Sequence, residues 1–191
     1  MALLEHEPRR PSRRLDDYYT PEELASAVVA YLPVGLAREW VIEPSCGGGA
    51  FVRALQARRC RVVGIDVDPA ARGLEGADVA RVGDFLQARN DVDAGWVVGN
   101  PPYGDAQAHV EHALNITRRY VVMLLRLAFL ESIGRVAFWN GQGARLREVR
   151  VLARRPSFVG TNGTDSAAYG VFWWDKLHTG PAAIVPGWRW S

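Results

Sequence analysis

Short apolar runs alternate with stretches of helical periodicity over most of this chain. Runs rich in Val, Ile and Trp occupy residues 39–44, 60–68, 77–85 and 94–102, and another begins at residue 120. Segments with the spacing of amphipathic helices lie between them, at residues 47–59, 69–76 and 105–119. Strands that alternate with helices at this spacing predict an α/β fold, with a mostly parallel sheet and helices on both faces.

A further helix is predicted over residues 18–32, ahead of the alternating part. Thr20 has a side chain suited to an N-cap, Pro21 suits the first helical position, and Glu23 completes a capping box. Pro33 then ends the helix, because proline has no backbone N–H and cannot continue it.

The last third of the chain has a different pattern. Residues 149–158 and 167–176 are predicted to be two strands, joined by a loop rich in Gly, Thr and Asn. Because no helical period separates them, they are expected to pair antiparallel at the edge of a seven-stranded sheet. Residues 181–191 are predicted to form an irregular tail and residues 1–14 a basic flexible arm, which leaves a single domain over residues 15–180.

Composition allows a full core and argues against a membrane protein. Apolar residues make up 48% of the 191-residue chain, and charges interrupt every apolar run before it reaches the length of a membrane span. The first residues lack the apolar centre of a signal peptide, so a cytoplasmic location is expected. Cys46 and Cys60 provide neither a disulfide framework nor a metal-ligand spacing, and no metal is expected.

Basic residues are unevenly distributed, although the net charge is only +2. Between Arg118 and Arg155 the chain carries nine arginines against two acids, a net charge of +7. Arginine guanidinium groups match phosphate geometry, so this segment is expected to offer a face to nucleic acid.

A glycine turn follows the strand at residues 39–44, in the stretch VIEPSCGGGAF. Glycines 47–49 permit a tight turn and the close approach of a ligand, but no Lys-Ser/Thr pair follows them as in a P-loop.

Three consecutive strands end in an acid: Glu43, Asp66 and Asp84. Asp66 is placed to accept both ribose hydroxyls of a nucleoside, and Asp84 to accept from an exocyclic amine with Phe85 packed on a purine. Such an acidic rim favours a nucleoside with a positive centre over a dinucleotide.

A second motif ends the strand at residues 94–102, in the stretch GWVVGNPPYGD. Prolines terminate a strand, so Asn100 and Tyr103 are held at the end of a buried strand by Pro101 and Pro102. Ligands of parallel α/β sheets bind outside the carboxyl ends of the strands. The two motifs are therefore expected to meet at one edge of the sheet.

Together these motifs resemble those of the S-adenosylmethionine-dependent amino-group methyltransferases, particularly the DNA adenine-N6 methyltransferases. YYTPEEL resembles the N-terminal cofactor motif, EPSCGGGAF the glycine motif, GIDVD and GDF the ribose and adenine motifs, and NPPYG the catalytic motif. The segments RRPSF and TDSAAYGVFWWDK are similar to the C-terminal part of compact, phage-type members. The resemblance covers about residues 18–177 and implies a Rossmann-like class I methyltransferase fold.

The resemblance also implies roles for individual residues. Glu43 is expected near the sulfonium and the amino-acid end of S-adenosylmethionine. The residues expected to bind this cofactor are Tyr19, Thr20, Pro21, Glu43, Pro44, Ser45, Gly47, Gly49, Asp66, Val67, Asp84, Phe85 and Asn100. The expected catalytic residues are Asn100, Pro101, Pro102 and Tyr103, and the expected substrate-binding residues are Tyr103, Phe158 and Arg126.

The chemistry of amino-group methylation fits the residues of the second motif. An exocyclic amino nitrogen is a poor nucleophile because its lone pair is delocalised into the ring. The Asn100 side-chain oxygen and the Pro101 carbonyl can each accept one N–H and so direct the lone pair toward the methyl group. Tyr103 is expected to stack on a base extruded from the duplex, and Phe158 is expected either to form the opposite wall or to belong to the core.

Several other residues are assigned structural roles. His109 and His112, with Glu111 between them, are expected on a surface helix because no third metal ligand is evident. Asp68 is expected to cap a helix together with Pro69. The run at residues 172–174 is expected to pack within the sheet. Neither cysteine follows a proline, which argues against covalent attack on cytosine C5.

The substrate class is less sharply defined than the chemistry. The segment from Leu127 to Glu148 offers only a small loop-and-helix element, which is short for reading several base pairs. A homodimer or a separate recognition partner would supply the missing contacts. The alternatives to adenine in DNA are an RNA base, a protein glutamine, or a cofactor-binding regulatory homologue without turnover.

Overall fold

The alternating apolar runs become the strands of one sheet. The computed structural model describes residues 19–158 and 166–190, so the predicted arm at residues 1–14 lies outside the described residues. The strands are β1 (Trp40–Glu43), β2 (Arg61–Asp66), β3 (Val79–Val82), β4 (Trp96–Gly99), β5 (Tyr120–Arg126), β6 (Leu146–Leu152), β7 (Tyr169–Asp175) and β8 (Ala183–Trp188). The helices are α1 (Glu22–Tyr31), α2 (Ala50–Ala57), α3 (Arg72–Gly76), α4 (Ala106–Ile116) and α5 (Val136–Asn140).

The sheet is mostly parallel, as expected. Its strand order is β3-β2-β1-β4-β5-β7-β6-β8. The five strands β1 to β5 run parallel, whereas β7 runs antiparallel to both of its neighbours, β5 and β6. Strand β6 therefore points the same way as β5, so its last residues lie at the same edge of the sheet as the ends of β1 to β5.

An eighth strand corrects the prediction at the end of the chain. Residues Ala183–Trp188, expected to be part of an irregular tail, pair parallel with β6 and form the outer edge of the sheet. The predicted antiparallel pairing of β6 with β7 is confirmed, but the sheet has eight strands rather than seven. Pro186 and Gly187 obscured this strand in the sequence, and an edge position tolerates them because only one side of the strand needs partners.

The core lies on both faces of the sheet. Helices α1, α2 and α3 contribute buried side chains to one face, and α4 and α5 to the other. Strands β4 and β7 are buried along their whole length, as expected for strands covered on both faces. Phe172, Trp173 and Trp174 are at most 6% exposed, which confirms their role in sheet packing.

One predicted helix is shorter than expected, and the last parallel strand of the alternating part ends in a helical turn. The helix predicted at residues 69–76 begins only at Arg72, after a turn in which the Asp68 carboxylate accepts the backbone N–H of Ala70 at 2.9 Å. Strand β5 ends at Arg126 and continues as the helical turn Leu127–Leu130. The predicted small element between β5 and β6 consists of short turns and α5.

In residues 19–158 and 166–190, each helix is too short or too polar to cross a membrane.

Candidate active site

The two sequence motifs meet where the sheet changes direction. From β1 the chain builds outward through β2 and β3, then returns to place β4 on the other side of β1. A crevice opens outside the carboxyl ends of two such neighbouring strands, because their connections leave in opposite directions. Glu43 is the last residue of β1, and Asn100 directly follows β4. The topology therefore brings the glycine turn and the NPPY motif to one crevice, as the sequence predicted.

A cleft of about 480 Å³ occupies this crevice. Its volume lies in the range of small-molecule and cofactor sites. Seven of the residues expected to bind a cofactor line it: Tyr19, Thr20, Glu43, Ser45, Gly47, Gly49 and Asn100. The other six expected residues, Pro21, Pro44, Asp66, Val67, Asp84 and Phe85, are not among its lining residues.

Glycines shape the wall of this cleft. Gly47 and Gly49 have φ values of +38° and +85°, a backbone conformation that other residues rarely adopt. A Cβ atom on Gly47 would lie 3.1 Å from the Tyr19 ring, so the missing side chain lets that ring lie close to the turn. The Gly47 carbonyl accepts the backbone N–H of Gly73 at 2.8 Å, which ties the turn to α3.

Asp66 braces the glycine turn from the end of β2. One of its carboxylate oxygens accepts the backbone N–H of Gly47 at 2.8 Å, and the other accepts that of Asp68 at 2.9 Å. Each carboxylate oxygen can accept more than one hydrogen bond, so Asp66 keeps accepting capacity for a hydroxyl group. Val67, the next residue, is 55% exposed.

The structure contradicts the expected role of Phe85. Its ring is only 2% exposed and stacks on the His109 ring, with 5.4 Å between the centroids. Asp84 instead caps the short turn Phe85–Gln87 by accepting the backbone N–H of Leu86 at 2.9 Å. That turn directs Phe85 into the core on the α4 face, so in this structure the ring cannot pack on a purine in the cleft.

His109 is also placed differently from the prediction. It is 6% exposed rather than on a surface, and its Nδ1 lies 3.0 Å from the Asp105 carbonyl oxygen. Burial lowers the pKa of His109. His112 is partly buried, with its Nε2 3.0 Å from the Ala88 carbonyl oxygen. The two rings thus belong to the packing around Phe85.

Glu43 is a buried carboxyl group at the centre of the site, only 2% exposed. It accepts the backbone N–H of Ser45 at 3.2 Å and also that of Asn100. Burial, reinforced by the negative charge of Asp66, raises the pKa of Glu43 well above its ordinary range. A Cβ atom on Gly99 would lie 2.5 Å from Glu43 Oε1, so this contact requires glycine. A cationic group bound in the cleft would stabilise the ionised form of Glu43.

The Asn100 side chain has one satisfied end and one unsatisfied end. Its Nδ2 donates to Thr20 Oγ1 at 3.1 Å. Its Oδ1 is buried and accepts no hydrogen bond from the described part of the chain. A buried acceptor without a protein donor can take a hydrogen bond from water or from a ligand. Asn100 thus offers an acceptor oxygen on a side chain that lines the cleft.

The hydrogen bond to Asn100 also explains why Thr20 is not the predicted N-cap. Helix α1 begins at Glu22, with Pro21 at the N-cap position and no side-chain capping bond. The predicted capping box is therefore wrong, because the Thr20 hydroxyl accepts from Asn100 and lines the cleft. Glu22 and Glu23 still favour the start of the helix, since acids interact well with its positive end.

The three predicted substrate-binding residues lie together beside Asn100. The Arg126 guanidinium lies 4.3 Å from the centre of the Tyr103 ring, and Phe158 packs edge-on to that ring at 6.3 Å. Phe158 is 1% exposed, so it belongs to the core as well as to this group. Burial raises the pKa of the Tyr103 hydroxyl, which therefore stays protonated near neutral pH.

Sequence reasoning missed several residues of the site. Tyr169 packs on both Tyr103 and Phe158 and accepts a hydrogen bond from Arg126 Nε at 3.1 Å. Arg53 and Arg72 line the cleft, and Arg53 forms an ion pair with Glu22 and donates to the Gly48 carbonyl at 2.7 Å. Tyr169 could have been suspected from its place at the start of a predicted strand, whereas exposed arginines carry no such signal.

A second cavity of about 300 Å³ adjoins Tyr103. Apolar side chains of Leu125 and Phe129 line it together with Arg126, Ser132 and other residues of the turns after β5. Tyr103 and Arg126, whose guanidinium lies on the Tyr103 ring, both line this cavity.

The basic segment does not form one continuous face. Arg118 and Arg119 precede β5 at the amino edge of the parallel strands, where they pair with Glu39 and Asp175 respectively. Arg154 and Arg155 follow β6 at the opposite edge, which carries the cleft, and both are exposed. The prediction of a single nucleic-acid face over residues 118–155 is therefore wrong in this respect.

Comparison with known proteins agrees with this architecture. No protein-family model matches the chain. An 81-residue segment, 41% of the chain, is 32% identical to the type II methyltransferase M.TthHB8I of Thermus thermophilus and spans 19% of that protein. The match thus covers about a fifth of the length of this curated relative.

Solved structures match over a larger part of the chain. A Listeria monocytogenes protein assigned to the class I S-adenosylmethionine-dependent methyltransferases aligns with a TM-score of 0.70 and 15% identity, over 92% of this chain and 68% of its own. The methyltransferase subunit of a type I restriction-modification system from Streptococcus thermophilus aligns with a TM-score of 0.67 and 14% identity, over 89% of this chain and 47% of its own. The chain therefore has the Rossmann-like fold of class I S-adenosylmethionine-dependent methyltransferases.

Proposed function

We propose that the chain is a methyltransferase that uses S-adenosylmethionine and transfers its methyl group to an exocyclic amino nitrogen, N6 of adenine in DNA. The observation that carries the proposal is the Asn100 side chain, whose buried Oδ1 has no donor among the described residues while its Nδ2 is held by Thr20. An unsatisfied acceptor at the end of β4 is what an incoming amino group requires.

The cleft residues fit the proposed cofactor. Asp66 does not line the cleft itself, but it accepts from Gly47 of the glycine turn and keeps accepting capacity for ribose hydroxyls. Glu43 provides negative charge for a cationic amino-acid end, and Arg53 and Arg72 provide positive charge for a carboxylate. The glycine turn contributes a wall without side chains, with the Tyr19 ring beside it. The expected contribution of Asp84 to adenine binding stays a prediction, since this residue does not line the cleft.

The residues of the NPPY motif account for the proposed reaction. The bound cofactor supplies an electrophilic methyl group on a positively charged sulfur. Asn100 Oδ1 and the Pro101 carbonyl accept the two N–H groups of the acceptor and direct its lone pair at the carbon. A nitrogen–carbon bond would form as the carbon–sulfur bond breaks, which would leave the sulfur as a neutral thioether, and the methylated amino group would then release one proton to solvent. Pro101 and Pro102 restrict the backbone, so the two acceptors need little reordering in the transition state.

The surroundings of the motif and the comparisons support a nucleic-acid base as the acceptor. Tyr103 offers an aromatic ring next to Asn100, and stacking contributes about 1–3 kcal/mol per base. Extrusion of a base costs a few kcal/mol, so stacking of this size offsets much of it. The likeness to a type II methyltransferase and to a restriction-modification subunit supports DNA as the polymer.

Transfer of a radiolabelled methyl group tests the proposal. The protein is incubated with methyl-labelled S-adenosylmethionine and, separately, with genomic DNA from a strain lacking DNA methyltransferases, total RNA, and glutamine-containing peptides. We expect label in N6-methyladenine of DNA after digestion to nucleosides. Label in RNA or in a peptide instead of DNA would show that the methyl acceptor is not adenine in DNA. Cofactor binding by calorimetry without transfer to any acceptor would identify a regulatory homologue.

The first prediction concerns the catalytic amide. Asn100→Ala is expected to lower the rate of transfer by at least about 10²–10³-fold, because it removes a preorganised acceptor. Cofactor affinity, measured by calorimetry, should stay close to that of the unchanged protein. Asn140→Ala, which changes an exposed asparagine at the end of α5, is the matched control. Full activity of Asn100→Ala would exclude the proposed catalytic role.

A further inference from the structure

The orientation of the Asn100 amide is a separate requirement of the proposed reaction. A carboxamide has an oxygen that accepts hydrogen bonds and an NH₂ group that donates them, and the two ends have nearly the same shape. Only the oxygen can accept an N–H from an incoming amino group. A rotation of 180° about the last side-chain bond would present a donor to another donor. The reaction therefore depends on something that holds the amide in one of two similar orientations.

The contacts around Asn100 restrain this rotation, because the amide must break a hydrogen bond to turn. Its backbone N–H is held by the buried Glu43 carboxylate, which positions the residue at the end of β4. Its Nδ2 lies 3.1 Å from the Thr20 hydroxyl oxygen, and its Oδ1 is the end without a donor in the described ranges. Thr20 comes from a distant part of the chain, 80 residues away, so it is an independent anchor for the side chain.

The segment around Thr20 is itself held in place. Pro21 follows it and restricts the backbone ahead of α1, which is packed into the core through Leu24 and Val28. On the other side, the Tyr19 ring lies against Gly47 and Gly48 of the glycine turn. The Thr20 hydroxyl is therefore presented to Asn100 from a fixed point rather than from a free strand end.

We propose that Thr20 is a positioning residue for the reaction. Its hydroxyl accepts from Asn100 Nδ2 and thereby fixes the position and plane of the amide that presents Oδ1 to the acceptor amino group. This role rests on the proposed function and adds to it, because Thr20 was expected from the sequence to cap the first helix and to contact the cofactor. The Thr20 hydroxyl group thus has the task of holding the Asn100 amide in place.

Two substitutions separate the hydroxyl from the shape of the side chain. Thr20→Val keeps the shape and removes the acceptor, and Thr20→Ser keeps the hydroxyl. Single-turnover methyl transfer to methylation-free genomic DNA is measured with saturating cofactor, so that weaker cofactor binding cannot lower the rate. Thr20→Val should lower this rate by about 10- to 100-fold, since a small misorientation of a catalytic group has effects of this size. Thr20→Ser should restore it to within about threefold.

A double variant distinguishes positioning from a structural role. If Thr20 acts only through Asn100, then Thr20→Val should cause no further loss in an Asn100→Ala background, because the two residues act as a unit. Ser26→Ala, at an exposed position of α1, controls for the loss of a hydroxyl from the helix that follows Thr20. Thermal unfolding of each variant shows whether the fold is retained, and Thr20→Ala repeats the test if the valine variant unfolds.

The outcomes are distinct from those that test the proposed function. An unchanged rate in Thr20→Val, or a rate that falls only when the cofactor is not saturating, would overturn the positioning role. A further loss in the double variant would also overturn it. If instead Asn100→Ala retains full transfer, the proposed function itself fails, whatever the result for Thr20.

Discussion

At the scale of single residues, Glu43 shows how the fold changes the chemistry of a side chain. Its carboxyl group is buried beside a second acid, Asp66, and its pKa is raised well above the ordinary value. The folded protein therefore retains a proton that the unfolded chain releases above about pH 4. Stability falls with pH wherever the folded state binds more protons than the unfolded state. This group therefore makes the folded protein less stable as the pH rises from about 4 toward its folded pKa.

Glu43→Gln tests this linkage, because the amide has no proton to release. The free energy of unfolding of the unchanged protein, relative to the variant, should fall as the pH rises above about 4. Denaturant titrations at several pH values measure the difference. Glu23→Gln, at an exposed position of α1, measures the general effect of removing one negative charge. A difference between Glu43→Gln and the unchanged protein that does not vary with pH would contradict the raised pKa.

At the scale of secondary-structure elements, the glycine turn and α3 are packed unusually closely. The backbone N–H of Gly73 donates to the Gly47 carbonyl, and a Cβ atom on Gly73 would lie 2.5 Å from the Cys46 carbonyl oxygen. That contact involves backbone, which cannot move without displacing the wall of the cleft. The short helix α3 thus holds the glycine turn in place, although α3 has only five residues.

A pair of glycine substitutions within α3 tests this contact. Gly73→Ala should lower the free energy of unfolding by about 1–3 kcal/mol, as overpacking does, and should also weaken cofactor binding. Gly76→Ala is the matched control, because its Cβ would meet only Val52 Cγ1, at an ordinary 3.6 Å. That change should be neutral or stabilise the protein by up to about 1 kcal/mol. Equal stability of the two variants in denaturant titrations would refute the close packing.

At the scale of the whole molecule, strand direction decides which arginines lie near the site. Arg154 and Arg155 follow β6, which runs parallel to β5, so they lie at the edge of the sheet that carries the cleft. Arg118 and Arg119 precede β5 and lie at the opposite edge, each in an ion pair. A nucleic acid bound at Asn100, as proposed, would therefore lie at the same edge as Arg154 and Arg155 and at the opposite edge from Arg118 and Arg119.

Replacement of arginines by alanine at each of the two edges gives a further prediction. The double variant Arg154→Ala/Arg155→Ala should bind a fluorescent DNA duplex about 10-fold more weakly near physiological salt. The slope of log affinity against log salt concentration should become shallower by about 2, because two phosphate contacts are lost. The control is Arg38→Ala/Arg59→Ala, which removes two exposed arginines before β1 and β2, at the amino edge. Anisotropy titrations at several salt concentrations measure both. Equal affinity of the two double variants would disprove a nucleic-acid surface at the cleft edge.

The local sequence pattern was sufficient to predict most helices and strands. It was also sufficient to predict that the glycine turn and the NPPY motif lie at one edge of the sheet. The strands at residues 39–44 and 94–102 are apolar runs that end in a glycine turn and in prolines, and parallel strands leave their carboxyl ends together. It was not sufficient for β8, whose Pro186 and Gly187 are tolerated only because nothing pairs with its outer side in the described ranges. It also failed for Phe85, because a turn of three residues can direct a side chain into either layer.

The order of apolar runs, turn residues and strand-end acids was enough to define an α/β fold and to predict that Asn100 and Glu43 lie in one cleft. These properties depend on neighbouring residues, whose spacing is visible in the chain itself. Only the tertiary structure decided that Thr20 holds the Asn100 amide, that Phe85 lies in the core, and that the basic segment is divided between two edges. Each of these depends on contacts between distant residues and on strand direction, because packing and hydrogen bonding outweigh local preference once the chain is folded.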